Sequence, residues 1–246
     1  MTKVAGINPE VLKWARERAG LSVNDVAKSF GKTADDVARW EDGDAAPTYV
    51  QLEKIAYQLY KRPLAIFFFP NAPAEIDPKT EFRLLPDFEL EDLESDTLLA
   101  VRQARSMRES LRELTGGPNP VESTLFRTID ARRSRDMQSL CKRVRQKLGV
   151  DLKLQCSWSS VREAFKNWRD TLEAHGVFVF KGSIEQHDIS GFCLFDADCP
   201  IIYINNSTSD SRQVFTLFHE LGHLLYRASG VTKDDTSYIT ALPPNA

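Results

Sequence analysis

Apolar positions fall at helical spacing through most of this chain and switch to a spacing of two only once, late in the sequence. Leu12, Ala15 and Ala19 share one helical face that Gly20 closes, and Ser22 caps a second helix running to about Phe30. Gly31 makes a tight turn. Thr33 then caps a third helix, Ala34 to Glu41, ended by Asp42-Gly43, and Pro47-Thr48 starts a fourth that carries Leu52, Ile55, Ala56 and Leu59. The run Leu64 to Phe69 stops at Pro70, too short to span a bilayer, and reads as core. Asn71 to Pro86, with three prolines, reads as a linker or extended arm. The acidic stretch Glu89 to Asp96 leads into a helix from about Ser95 to Thr115, on which Arg102, Arg105, Arg108 and Arg112 read as a solvated face. Met137, Leu140, Cys141, Val144 and Leu148 mark another helix. Ser160-x-x-Glu163 caps the next, whose buried side is Val161, Ala164, Phe165, Trp168 and Leu172. After it come the alternating segments Val177 to Phe180, Ile189 to Phe195 and Ile201 to Ile204, predicted as a small antiparallel sheet, the last two joined by an Asp196 to Pro200 turn. The boundaries expected from this pattern are 1–70, 71–133 and 134–246.

The polar cluster Asn205 to Ser211 caps a last helix, where Asp210-x-x-Gln213 resembles a capping box. That helix is apolar except for His219-Glu220-x-x-His223. Residues four apart lie one turn apart on one stripe, so both imidazoles can reach one metal ion while Glu220 flanks them as a general base. Val214, Leu217, Phe218, Leu221, Leu224 and Leu225 supply the face that packs on a core. The predicted order of helices, small sheet and metal helix is that of a minimal zincin, in which an edge strand pairs with substrate backbone. Pro200 to Asn205, with Ile202, Tyr203 and Ile204, is the strand expected to do this, and an internal strand is the other reading of the same run. His187, in the loop before the middle strand, reads as a surface residue.

Composition changes little in this picture. A hydrophobic fraction of 42% is that of an ordinary globular chain, and a formal charge of -3 gives no global basic field, so a nucleic-acid contact has to come from a local patch. The four cysteines show no C-x-x-C spacing and no secretory leader precedes the first helix, which points to a reducing cytoplasm and no membrane. Cys193 and Cys199 read as buried free thiols.

Two resemblances follow from particular residues. Leu21-Ser22-x-x-Asp25-Val26-Ala27, Trp40-Glu41-x-Gly43 and Pro47 followed by Leu52 and Ile55-Ala56 make residues 1–70 resemble the XRE (Cro/cI-type repressor) family of helix-turn-helix domains. Lys32, Thr33 and Arg39 are then the residues placed to touch DNA, against the repulsion of Asp35 and Asp36. Ten Lys/Arg oppose nine Asp/Glu across residues 1–70, so docking of a protein, or homodimerisation, is the competing use of this module. Further along, Glu81-Phe82-Arg83-Leu84-Leu85-Pro86 stands where the common pattern has an aspartate before Phe-Arg. With Trp168-Arg169-x-x-Leu172-Glu173-x-x-Gly176-Val177, Gly191-Phe192, Ile201 to Asn205 and Phe215 to Leu225, it is similar to the ImmA/IrrE family of metallopeptidases, often fused to an XRE-type domain.

That resemblance implies an α+β chain, an all-α helix-turn-helix bundle followed by a zincin-like domain. It implies zinc held by His219 and His223, Glu220 as general base, and a helix-turn-helix repressor as the protein that is cut, releasing stress-response, mobile-element or phage-defence genes. The family also implies a third ligand, a glutamate on a later helix. No glutamate follows Glu220; the remaining carboxylates are Asp234 and Asp235, and the expectation is that the third ligand belongs to residues beyond Ala246. The rival reading is a non-catalytic DNA-binding regulator or antitoxin-like protein with a degenerate peptidase domain. A zinc hydrolase acting on a small molecule is a third.

Overall fold

Alternation of cap, apolar stripe and stop produces ten α-helices among the described residues, and the late change of period marks three strands of a four-stranded sheet. The computed structural model describes residues 3–75, 77, 80, 82, 93–122, 124–134 and 136–233. Glu81, Arg83 to Pro86, the first half of the acidic stretch, Asp234, Asp235 and the C-terminal Ala241 to Ala246 lie outside them. The described residues of Met1–Thr80 and Pro86–Leu99 form one compact unit, and those of Glu81–Leu85 and Ala100–Ala246 a second.

In the first unit α1 (Pro9–Arg18) begins at Asn8, a cap absent from the pattern-based expectation, and α2 (Val23–Phe30), α3 (Ala34–Glu41) and α4 (Tyr49–Lys54) begin where the caps predict. Ser22 with Asp25, Thr33 with Asp36 and Thr48 with Gln51 each form a reciprocal capping box, a device that contributes about 1 kcal/mol per helix. Val11, Leu12, Val26, Val37, Trp40, Leu52, Ile55 and Phe67 meet in one core. Of the run Leu64 to Phe69, read as core, Phe67 is buried whereas Phe68 and Phe69 are exposed, because the segment is a 3-10 turn (Leu64–Phe68) followed by extended chain, not one buried element. Arg16 of α1 holds Glu41 of α3 through two hydrogen bonds, Nε to Oε1 at 2.7 Å and Nη2 to Oε2 at 2.9 Å, in a buried site.

The division between units falls inside α5 (Ser95–Thr115), so the expected 71–133 connector is not a separate element. Arg102, Arg105, Arg108 and Arg112 are half-buried rather than solvated, and Arg112 pairs with Glu109 and Asp196. After the short α6 (Leu125–Thr128) come α7 (Met137–Leu148), α8 (Leu152–Cys156), α9 (Val161–Ala174) and α10 (Asp210–Leu225). The strands are β1 (Phe178–Gly182), β2 (Ile189–Leu194), β3 (Ile201–Asn205) and β4 (Gly230–Lys233), in the order β1-β3-β2-β4.

The sheet is mixed, not antiparallel: β3 runs antiparallel to β2 and parallel to β1. The Asp196 turn makes β2 and β3 a hairpin, with Asp196 Oδ1 accepting from the amides of Asp198 at 3.0 Å and Cys199 at 2.8 Å. β1 must then pair on the far side of β3. All of β2 and β3 is buried, the condition under which a strand reads as a near-continuous apolar run. Cys193, Ile202 and Ile204 join Val179, Trp168, Leu172, Leu217, Leu221 and Leu224 in one core. On the other side, Phe192 stacks on Tyr203 at 5.0 Å and meets Phe82 edge-on. Gly191 permits the approach of α10 to β2, since a Cβ there would lie 2.8 Å from the Thr216 methyl.

The strand-addition role expected of Ile202, Tyr203 and Ile204 does not survive this topology. β3 is hydrogen-bonded on both sides, to β1 and to β2, and has no open edge to offer a substrate. No helix among the described residues is long and apolar enough to cross a membrane.

Candidate metal centre

Helix α10 starts one residue earlier in its cap than the sequence suggests. Ser209 accepts from the Arg212 amide, and the Gln213 side chain reaches out to the Thr208 carbonyl at 2.7 Å instead of closing a capping box with Asp210. From there the helix lays Gln213, Thr216, Leu217, Glu220, Leu221 and Leu224 against the rest of the unit, while Phe215, Phe218, His219 and Tyr226 are exposed and His223 is half-buried.

His219 and His223 turn their rings toward each other, with Nε2 to Nε2 at 3.1 Å. Two imidazole nitrogens bound to one tetrahedral zinc, each about 2.0–2.1 Å from it, stand about 3.3 Å apart, so this pair fits two positions of such a site. Burial lowers the pKa of both rings. Arg212 adds to the effect at His219, and His219 adds to it at His223. Neutral imidazole is the form that ligates a metal.

Glu220 is placed differently from the expectation of a residue flanking the cleft. It is 0% exposed, and its Oε1 accepts from the Thr232 hydroxyl on β4. Oε2 has no partner in hydrogen-bonding geometry. Burial drives the Glu220 carboxyl up to about 7, against the Thr232 hydroxyl and the neighbouring Cys193 thiol, which pull the other way. The Cys193 thiol is itself raised by burial first and by the charge of Glu220 second. His187 is exposed and away from any of this, and Cys199 is buried in the hairpin turn.

Among the described residues no group of three or more His, Cys, Asp and Glu side chains is gathered to hold a metal ion, so His219 and His223 form a pair. Asp234 and Asp235 lie outside the described residues. β4, with Gly230 and Thr232, is absent from the pattern-based prediction. Four residues directly after a helix are too few to show alternation, and only the glycine marks the place.

Lys32, Thr33 and Arg39, the residues expected to touch DNA, lie at the two ends of α3. Thr33 is the N-cap of α3, and Lys32 lies 5.9 Å from the centre of the Trp40 ring and 3.9 Å from Asp36. Arg39 is exposed in the last turn of α3.

A histidine pair one turn apart on a helix packed over a small mixed sheet is an arrangement consistent with a zincin-like domain. Residues 172–243 match the family model Peptidase_M78, described as IrrE N-terminal-like domain, which supports a metallopeptidase of the ImmA/IrrE type for this part of the chain. The match contains the end of α9, the whole sheet and α10, and the helical unit at the N-terminus lies outside it. No curated protein and no solved structure matches the chain.

Proposed function

We propose that this chain is a zinc-dependent endopeptidase whose substrate is a helix-turn-helix repressor. The observation that carries the metal site is the convergence of His219 and His223 at 3.1 Å on a helix inside the matched region. In this reading the two imidazoles hold the zinc, which supplies Lewis-acid polarisation of the scissile carbonyl when bound. Glu220 takes a proton from the attacking water as its oxygen bonds to the scissile carbon, and then gives that proton to the amine nitrogen as the carbon–nitrogen bond breaks. Oε1 is fixed by Thr232, and burial drives the carboxyl up to about 7, within the range in which a general base works at neutral pH. Residues 1–70 act as an XRE-type helix-turn-helix module that brings the enzyme to DNA, to the repressor, or to a second copy of itself. Cleavage then releases the repressed stress-response or defence genes.

Metal analysis after zinc loading and dialysis tests the site: the wild-type chain retains zinc and His223→Ala does not. Co-expression with helix-turn-helix repressors from the same genetic neighbourhood tests the substrate, with Glu220→Gln as the inactive control. Retention of zinc without cutting of any such repressor would overturn the substrate assignment. A second reading, a non-catalytic regulator, is favoured by one observation, the two rather than three ligands among the described residues. It predicts undiminished gene regulation by Glu220→Gln.

A further inference from the structure

We propose that β4 positions the metal centre: the bare Cα of Gly230 is the seat of the His223 imidazole, and the Thr232 hydroxyl fixes the Glu220 carboxylate. The inference rests on His219 and His223 being the zinc ligands. A Cβ at position 230 would fall 2.6 Å from Cδ2, 2.7 Å from Cγ and 2.9 Å from Nε2 of His223. Optimal carbon contacts lie at about 3.5–4.0 Å, so a side chain at this position has to displace something. What yields is the imidazole, the end of a side chain, and with it the nitrogen that faces His219.

Strand geometry returns the residue two further on to the same face, and Thr232 there donates to Glu220 Oε1. Gly230 meets His223 and Thr232 meets Glu220, so β4 runs opposite to α10 and touches both members of the motif. Pairing to β2 fixes β4 in register, with Cys193 opposite Gly230 and Gly191 opposite Thr232. Both its ends are pinned by side chains as well. The Ser229 hydroxyl accepts from the Phe195 amide at 2.9 Å, and Arg212 Nη2 donates to the Lys233 carbonyl at 3.1 Å. Ligand and base are thereby set by a strand rather than by their own helix alone.

The test uses the full chain and zinc itself as the probe. Gly230→Ala is expected to stay folded, with the thermal midpoint of the metal-free protein unchanged, and to bind zinc about 10–100-fold more weakly, the range found when supporting residues around a metal are altered. Gly222→Ala is the control, since a Cβ there meets nothing within 4 Å, and it binds as wild type does. In the metal-free wild-type protein, a strong nuclear Overhauser contact between a Gly230 Hα and His223 Hδ2 is expected. Its absence overturns the seat without recourse to any variant. Thr232→Val keeps the zinc affinity but lowers kcat for repressor cleavage at unchanged KM, and Thr232→Ser restores it. Equal cutting by Thr232→Val and wild type overturns the second half of the inference. If Gly230→Ala holds zinc as tightly as wild type, the seat is wrong while the metal site stands. If wild type takes up no zinc, the metal site itself is wrong.

Discussion

Each unit buries a glutamate on a helix, and the two are treated in opposite ways. Glu41 at the end of α3 is enclosed to 9% exposure and meets the Arg16 guanidinium through a two-pronged pair. Glu220 in the middle of α10 is enclosed completely and, among the described residues, meets only the Thr232 hydroxyl and the neighbouring Cys193 thiol, with no cation beside it. A buried carboxylate matched by a guanidinium has its charge answered and ties two helices together. One matched only by a neutral hydroxyl and thiol is held in place, and burial still drives it up to about 7 against them. Burial by itself therefore does not mark a reactive carboxylate, and the partner on the other side does.

The largest separation of the two is expected in activity. Glu220→Gln should leave zinc and fold intact and reduce repressor cleavage by about 10²–10⁴-fold, the range of general-base contributions, as measured by single-turnover digestion. Glu41→Gln should leave zinc binding untouched and destabilise the N-terminal unit by about 3–5 kcal/mol, because Arg16 is left buried without its counter-charge. Urea unfolding followed through Trp40 fluorescence measures it, and a loss below about 1 kcal/mol, the scale of an exposed pair, would break the contrast.

A smaller effect is expected at Asp196 in the hairpin turn. Burial raises its pKa, but the amides of Cys199 and Asp198 and then Arg112 outweigh this and hold it below the usual carboxylate range. A depressed folded value means that the stabilisation is present above the unfolded value and lost as pH falls through the folded one. Acid titration of the thermal midpoint should show this loss below about pH 4, and Asp196→Asn should flatten it. Smallest is Thr33→Ala, which removes one hydroxyl cap from α3 and costs about 1 kcal/mol. In gel shifts over a salt series, Arg39→Ala should weaken DNA binding more than Asp35→Ala, which removes repulsion. No shift at low salt would assign the N-terminal unit to protein docking.

Legibility follows sequence distance. Ser22, Thr33 and Thr48 bond residues three positions away, so the helices they start can be read from neighbours alone. The i and i+4 spacing of His219 and His223 is local in the same sense. The link from Arg16 to Glu41 spans 25 residues and that from Thr232 to Glu220 spans 12, and neither leaves a trace in periodicity. The place of β3 was ambiguous for a related reason. An apolar run such as Ile201 to Ile204 says that a strand is covered, but its neighbours are chosen by where β1 finds room, which is a property of the whole sheet.

The strand order also fixes a sequence of events during synthesis. β1 leaves the ribosome first but pairs with β3 and not with β2, so it waits through the whole hairpin before it has a hydrogen-bonding neighbour. β4 comes last, after α10 has been completed. A nascent chain thus carries both histidines on a formed helix before the strand beneath them has docked. Nascent chains whose emerged part ends between Leu225 and Lys233 should accumulate as a species with exposed β2 edge and loosely held imidazoles, and pulsed proteolysis of arrested nascent chains would detect full protection of α10 only once β4 has emerged.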